Sequence, residues 1–217
     1  MTSDHRDTGE AGNRDLKRKG PVMDKIVPRW EWRTFGSDFG AADERFAALD
    51  PELTQESDEI YLLSPGTDAA VKIRAGLMDI KELKEVDEAG LEQWRPAMKE
   101  TFPLPRTHAD KVCAELRVSA PPPGADAFSL DEFLALLGAP ERGVHAVAVH
   151  KLRRHYTLNG CMIEVTEVVA AGQTTRTLAV ELDDAGLVVA TVRELGLVDR
   201  ENTSYPRWLK AAAGMES

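Results

Sequence analysis

Six stretches of this chain alternate apolar and charged positions with a period of two, the mark of a strand with two unlike faces. In "RWEWRTF", Trp30 and Trp32 share one parity, and Arg29, Glu31 and Arg33 share the other. "AVKIRA" sets Lys72 and Arg74 against Val71 and Ile73, and "MDIKEL" sets Asp79 and Lys81 against Met78 and Ile80. Further on, Lys151, Arg153 and His155 oppose Leu152 and Tyr156, while Glu164 and Thr166 oppose Ile163 and Val165. Glu181 and Asp183 in turn oppose Val180 and Leu182. "SDEIYLLSP" supplies a further strand, and "SPGTD" reads as the turn after it. Short turns between neighbouring strands predict an antiparallel meander, and Asn159-Gly160 is a strong hairpin signal.

Helical spacing appears elsewhere. "GAADERFAALD" predicts a short helix, and the 87–116 stretch is helix-prone although Pro96, Pro103 and Pro105 interrupt it. "APPPGADA" reads as a loop. Ser129 followed by Glu132 is a capping-box signature for a helix from about Leu130, which Gly138 stops. "AGLVVATVRELGLV" and "SYPRWLKAAA" predict two closing helices. The class is therefore α+β. Residues 25–217 are expected to form one domain with a helical or linker insertion at about 86–128. The polar, aperiodic tail 1–24 is expected to be disordered.

Composition narrows the function classes. With 42% hydrophobic and 29% charged residues, the 217-residue chain suits a soluble globular domain. It has no run of eighteen apolar residues and no leading apolar segment of a secretory signal, so a cytoplasmic protein without membrane association is expected. Cys113 and Cys161 make no disulfide framework and read as buried small apolar residues. A net charge of −10 argues against a nonspecific nucleic-acid binder, and the "KRK" at 17–19 reads as a solvated charge run. His5, His108, His145, His150 and His155 fit no zinc spacing; only His155 shares the parity of a basic strand. P-loop, GxSxG and Rossmann fingerprints are absent.

The charged parity then becomes the main question. An ordinary antiparallel sheet turns such a face to water. Here the charges come as tight pairs, and their signs segregate by strand: Lys72 with Arg74 is basic, Glu181 with Asp183 acidic. Closed into a barrel, these strands would line an interior with a basic wall for phosphate oxygens and carboxylates for a hard divalent cation. That combination belongs to metal-assisted phosphoryl transfer. A lipocalin-like barrel would need an apolar interior, which this parity opposes.

In this order, from about Val27 to Lys210, the motifs resemble the CYTH domain, also called the triphosphate tunnel metalloenzymes. The family's ExExK signature falls on Arg29, Glu31 and Arg33, its RxR strand on Lys72 and Arg74, and its next-strand lysine on Lys81. The later KxR and aromatic resemble Lys151, Arg153 and Tyr156, the late ExE resembles Glu181 and Asp183, and the closing Ser-Tyr resembles Ser204 and Tyr205. The resemblance implies an eight-stranded antiparallel barrel with an open interior tunnel and helices outside. It implies that Arg33, Lys72, Arg74, Lys81, Lys151 and Arg153 bind a triphosphate-containing small molecule or polyphosphate. It implies Mg²⁺ or Mn²⁺ on Glu31, Glu164, Glu181 and Asp183, and catalytic roles for Glu31, Lys81 and Arg153. Arg29 stands where the signature has its first Glu, and Arg33 where it has Lys. The expectation is a metal-dependent triphosphate hydrolase, with a non-catalytic polyphosphate or nucleotide sensor as the alternative that Arg29 motivates. Trp30 and Trp32 should lie outside the barrel under helices, with Arg29 paired to Glu31 or Glu181.

Overall fold

The computed structural model describes residues 27–215; the tail 1–24, the "KRK" run and His5 lie outside them. Within those residues eight strands close into an antiparallel barrel. They are β1 (Arg29–Gly36), β2 (Leu53–Leu63), β3 (Ala70–Arg74), β4 (Leu77–Val86), β5 (Glu92–Thr101), β8 (His145–Leu158), β9 (Cys161–Ala170) and β10 (Gln173–Leu182), and a small ribbon of β6 (Leu104–Pro105) and β7 (Ala127–Phe128) stands apart. Around the barrel the order is β1-β10-β9-β8-β2-β3-β4-β5. At the β8–β9 hairpin Asn159 and Gly160 both have positive φ, 54° and 77°, which gives the turn the twist its strands need.

The apolar parity faces outward, under helices. Trp32, Ile163, Val165, Leu178 and Val180 form a core with α1 (Ala41–Ala47) and α4 (Ala185–Glu194), and Trp30 packs against its margin. The outward Val71, Ile73, Met78 and Ile80 form a second core with α2 (Arg106–Glu115) and α3 (Leu130–Leu137). Each large apolar side chain removed from water there contributes about 1.5–3 kcal/mol. Ser129 and Glu132 form the reciprocal capping box at the start of α3, and Gly138 ends that helix. Asp184 caps α4 through Leu187 N–H at 3.0 Å. Both cysteines are free and buried.

Two features depart from the sequence reading. The 87–116 stretch is not mainly helical: Glu92–Thr101 is β5, and a helix begins only at Arg106. Pro96 is accommodated because β4 and β5 shift register beside it, between Ile80 and Lys81. The second feature is at one end of the interior. Here the inward positions of β1, β2, β8 and β9 turn apolar: Phe35, Tyr61, Leu63, Val149, Val168 and Ala170 pack with Tyr205 and Leu209 of α5 (Tyr205–Ala212).

Helix α5 reaches this position because β1 and β5 pair over only three residue pairs, Arg29–Trp94 to Glu31–Glu92. Beyond them the segment before α5 takes over the β1 edge. Asn202 Oδ1 accepts from Arg33 N–H at 2.7 Å, and Thr203 N–H donates to Arg33 C=O at 2.8 Å. Ion pairs of Arg207 with Glu92 and of Lys210 with Asp68 hold the helix in place. The interior is thus covered at one end and charged along the rest.

Candidate functional site

The charged parity of the strands converges on a cavity of about 230 Å³ inside the barrel. Arg33, Lys72, Arg74, Lys81, Lys151 and Arg153 all line it, as do Glu31, Glu164 and Glu181. Asp183 does not: it is exposed just past the end of β10, next to the α4 cap, so the strand stops before its parity can carry it inside. His155 shares the parity of Arg153 but is absent from the lining as well.

Five of the six cations fall into two groups, and Arg33 stands apart on the opposite wall. Lys151 and Arg153 are almost wholly buried, at 1% and 4% exposure, and each already donates to two protein groups. Lys151 Nζ donates to Glu59 Oε2 at 3.1 Å and to the Tyr61 hydroxyl at 2.9 Å, and it sits 3.4 Å from the Tyr205 ring centroid. Arg153 donates to Glu59 and, at 2.8 Å, to Ser57 Oγ; its Nε faces Glu164 at 3.5 Å. Lys72 Nζ lies 3.2 Å from Glu59, and Arg74 lies 3.8 Å from both Glu59 and Asp79. Lys81 forms no ion pair among the described residues. Lys72, Arg74 and Lys81 are partly exposed and sit together on β3 and β4.

Glu59 is the centre of the deep group and was not singled out from sequence. Its side chain has no exposed surface. Burial would raise its pKa, but Lys151, Lys72 and Arg153 hold the carboxyl far below the ordinary carboxylate range. For Lys151 burial dominates and, with Lys72 nearby, pushes its pKa well down. Burial also raises the Tyr205 hydroxyl, which together with Ser204 Oγ is buried without a hydrogen-bond partner.

Arg33 organises the opposite wall. Its Nε donates to Glu31 at 2.9 Å and its Nη1 to Glu164 at 3.1 Å, so one guanidinium bridges the two carboxylates. Burial works against both charges, yet Arg33 and Lys81 hold Glu31 below its usual pKa. Arg33, Arg153 and Lys151 bring Glu164 down to about 2. Glu181 pairs with Arg29 at 3.3 Å, one of the two partners its position suggested.

This donor set does not fit a divalent ion. Such an ion needs several oxygens converging on one point. Here Arg33 lies between Glu31 and Glu164, Arg29 holds Glu181, and Asp183 is outside. Among the described residues no group of three carboxylate, histidine or cysteine side chains has metal-binding geometry. Adding a cation beside Arg33 would also meet direct repulsion.

No family model and no curated protein matches this chain. Several solved structures resemble it. A conserved hypothetical protein of Pyrococcus furiosus has 18% identity and a TM-score of 0.45, covering 82% of this chain and 98% of its own. A Hippeastrum protein described as a proposed adenylyl cyclase with a dominant triphosphatase activity has 14% identity and a TM-score of 0.46, covering 87% and 97%. A proposed adenylate cyclase of Bacillus halodurans has 12% identity and a TM-score of 0.46, covering 82% and 93%. The activities in those descriptions belong to those proteins. Among the described residues no helix is long and apolar enough to cross a membrane.

Proposed function

We propose that the barrel interior is a binding site for a short linear phosphate chain, free or carried by a small molecule, held by the protein's own cations. The observation that carries this reading is the trio Lys72, Arg74 and Lys81. Lys72 and Arg74 are two residues apart on one face of β3, and Lys81 is diagonal to Lys72 across the β3–β4 ladder. Those relationships set Lys81, Lys72 and Arg74 in a row whose neighbouring side-chain origins lie about 7 Å apart. A row of cations at that spacing, partly exposed in an enclosed site, suits a linear polyanion better than a single carboxylate.

The cavity volume supports the same class. At about 230 Å³ it lies below the ~300–1,000 Å³ typical of pockets that enclose a drug-sized ligand. A phosphate chain fits inside, and any organic group on it projects outward. The motif order that resembles the CYTH family agrees with a triphosphate ligand. Metal-dependent hydrolysis has less support, because the carboxylates it needs are engaged by Arg33 and Arg29.

Phosphorus NMR separates binding from turnover. Tripolyphosphate mixed with the protein is expected to show broadened resonances without growth of orthophosphate, with or without Mg²⁺. Orthophosphate that accumulates only with Mg²⁺ would establish the hydrolase instead. Unchanged linewidths and no product would reject both.

A further inference from the structure

The deep cation cluster already has an anion in it. Lys72, Lys151 and Arg153 all lie at ion-pair distance from Glu59, with Arg74 at 3.8 Å on the same carboxylate. Ser57 Oγ adds a hydrogen bond at 3.3 Å. A carboxylate with no exposed surface is stable only because these groups replace its water. They are the same kind of donors that a phosphate would use; Lys151 and Arg153 line the cavity while Glu59 lies behind that lining, so a ligand touching them would have to compete with Glu59 for their donors.

Resting on the reading of the cavity as a phosphate-chain site, we propose that Glu59 is a specificity-determining residue. It fills the innermost anion position of the barrel and limits the ligand to the shallower Lys72, Arg74 and Lys81. The burial gradient agrees. Lys151 and Arg153 are nearly inaccessible, whereas side-chain exposure rises to 13% at Lys72 and 31% at Arg74. Because Glu59 repels a polyanion at close range, it also selects against long or highly charged chains that would press into the deep position.

Glu59→Gln keeps the side-chain size and removes the charge. Calorimetry in EDTA with tripolyphosphate and with pyrophosphate reads the effect. In the variant, tripolyphosphate should bind at least about tenfold more tightly, while pyrophosphate, already satisfied by the shallow trio, changes about threefold or less. Unchanged or weaker tripolyphosphate binding by a variant with wild-type circular dichroism would overturn the proposal. A variant that does not fold leaves the decision to a crystal structure of the wild-type protein with tripolyphosphate. Phosphates on Lys72, Arg74 and Lys81 with the Glu59 pairs intact are expected there; phosphate oxygens on Lys151 and Arg153 with Glu59 swung aside would refute it. If the wild-type protein binds neither anion, the reading of the site itself fails, a result distinct from failure of the Glu59 role.

Discussion

The two ends of the barrel interior use the same inward parity for opposite purposes. Along β8, Lys151 and Arg153 sit in the charged region, while Val149, two residues earlier on the same face, belongs to the apolar end. On β1, Arg33 and Phe35 make the same switch, and on β9 Glu164 gives way to Val168. Tyr61 and Tyr205 stand between, each packed in the apolar cluster and each against the Lys151 ammonium. The difference shows what stabilises each region. The apolar end is closed by burial of surface against α5. The charged end is held by ion pairs whose members lose hydration, so removing one partner of a fully buried pair is costly there.

The strongest way to break this comparison is to attack the apolar end. Leu209→Ala removes a fully buried side chain from the inside of the barrel and is expected to cost about 2–5 kcal/mol of stability. Urea denaturation measures it. Tripolyphosphate affinity of the folded variant should stay near wild type, because Leu209 touches the closing cluster and not the cations.

The reverse pattern is expected at the shallow trio. Lys81→Ala or Arg74→Ala should lose about 1.5–3 kcal/mol of phosphate-chain binding, roughly ten- to hundredfold in Kd. Their stability should change by about 0.5 kcal/mol or less, since both side chains are partly exposed. A loss of stability without loss of binding would assign them to structure instead.

Acid sharpens the distinction further. Glu31, Glu59 and Glu164 all have pKa values below the ordinary carboxylate range, Glu164 at about 2. Groups shifted this way stabilise the fold above about pH 4.5, their unfolded value, and lose that contribution as pH falls through the folded one. Urea midpoints should therefore drop between about pH 4.5 and 2. Glu164→Gln should make that drop shallower, whereas Leu209→Ala should leave its slope unchanged. The smallest effect is expected at Arg29, whose side chain is 56% exposed: Arg29→Ala should shift stability by about 0.5 kcal/mol or less.

Much of the barrel was legible in the sequence because alternation reports faces directly. Trp30 and Trp32 declared the outer side of β1, so Glu31 and Arg33 had to be inside. The 92–101 strand was hidden by Pro96 and by helix-forming neighbours, and only its pairing with β4 and β1 makes it a strand. Glu59 was hidden for another reason. Asp58 and Glu59 are adjacent acids on opposite faces, and nothing local says which one is buried. Their roles follow from register: Glu59 pairs with Arg74 and lies inside, whereas Asp58 meets His150 on the surface. The apolar end was present in "IYLL" and "EVVA", where both parities are apolar, but the element that buries the second face is 35 or more residues away in α5. Asp183 failed because parity says nothing about where a strand stops.

The central claim is that the protein's own cations, without a resident divalent ion, bind a linear phosphate chain. A calorimetric titration of the wild-type protein with tripolyphosphate in EDTA, repeated in Mg²⁺, tests it most directly. Saturable binding at one site in EDTA, of similar affinity in Mg²⁺ and weakened by added salt, is the result this account predicts. Binding that appears only with Mg²⁺, or in neither buffer, would contradict it.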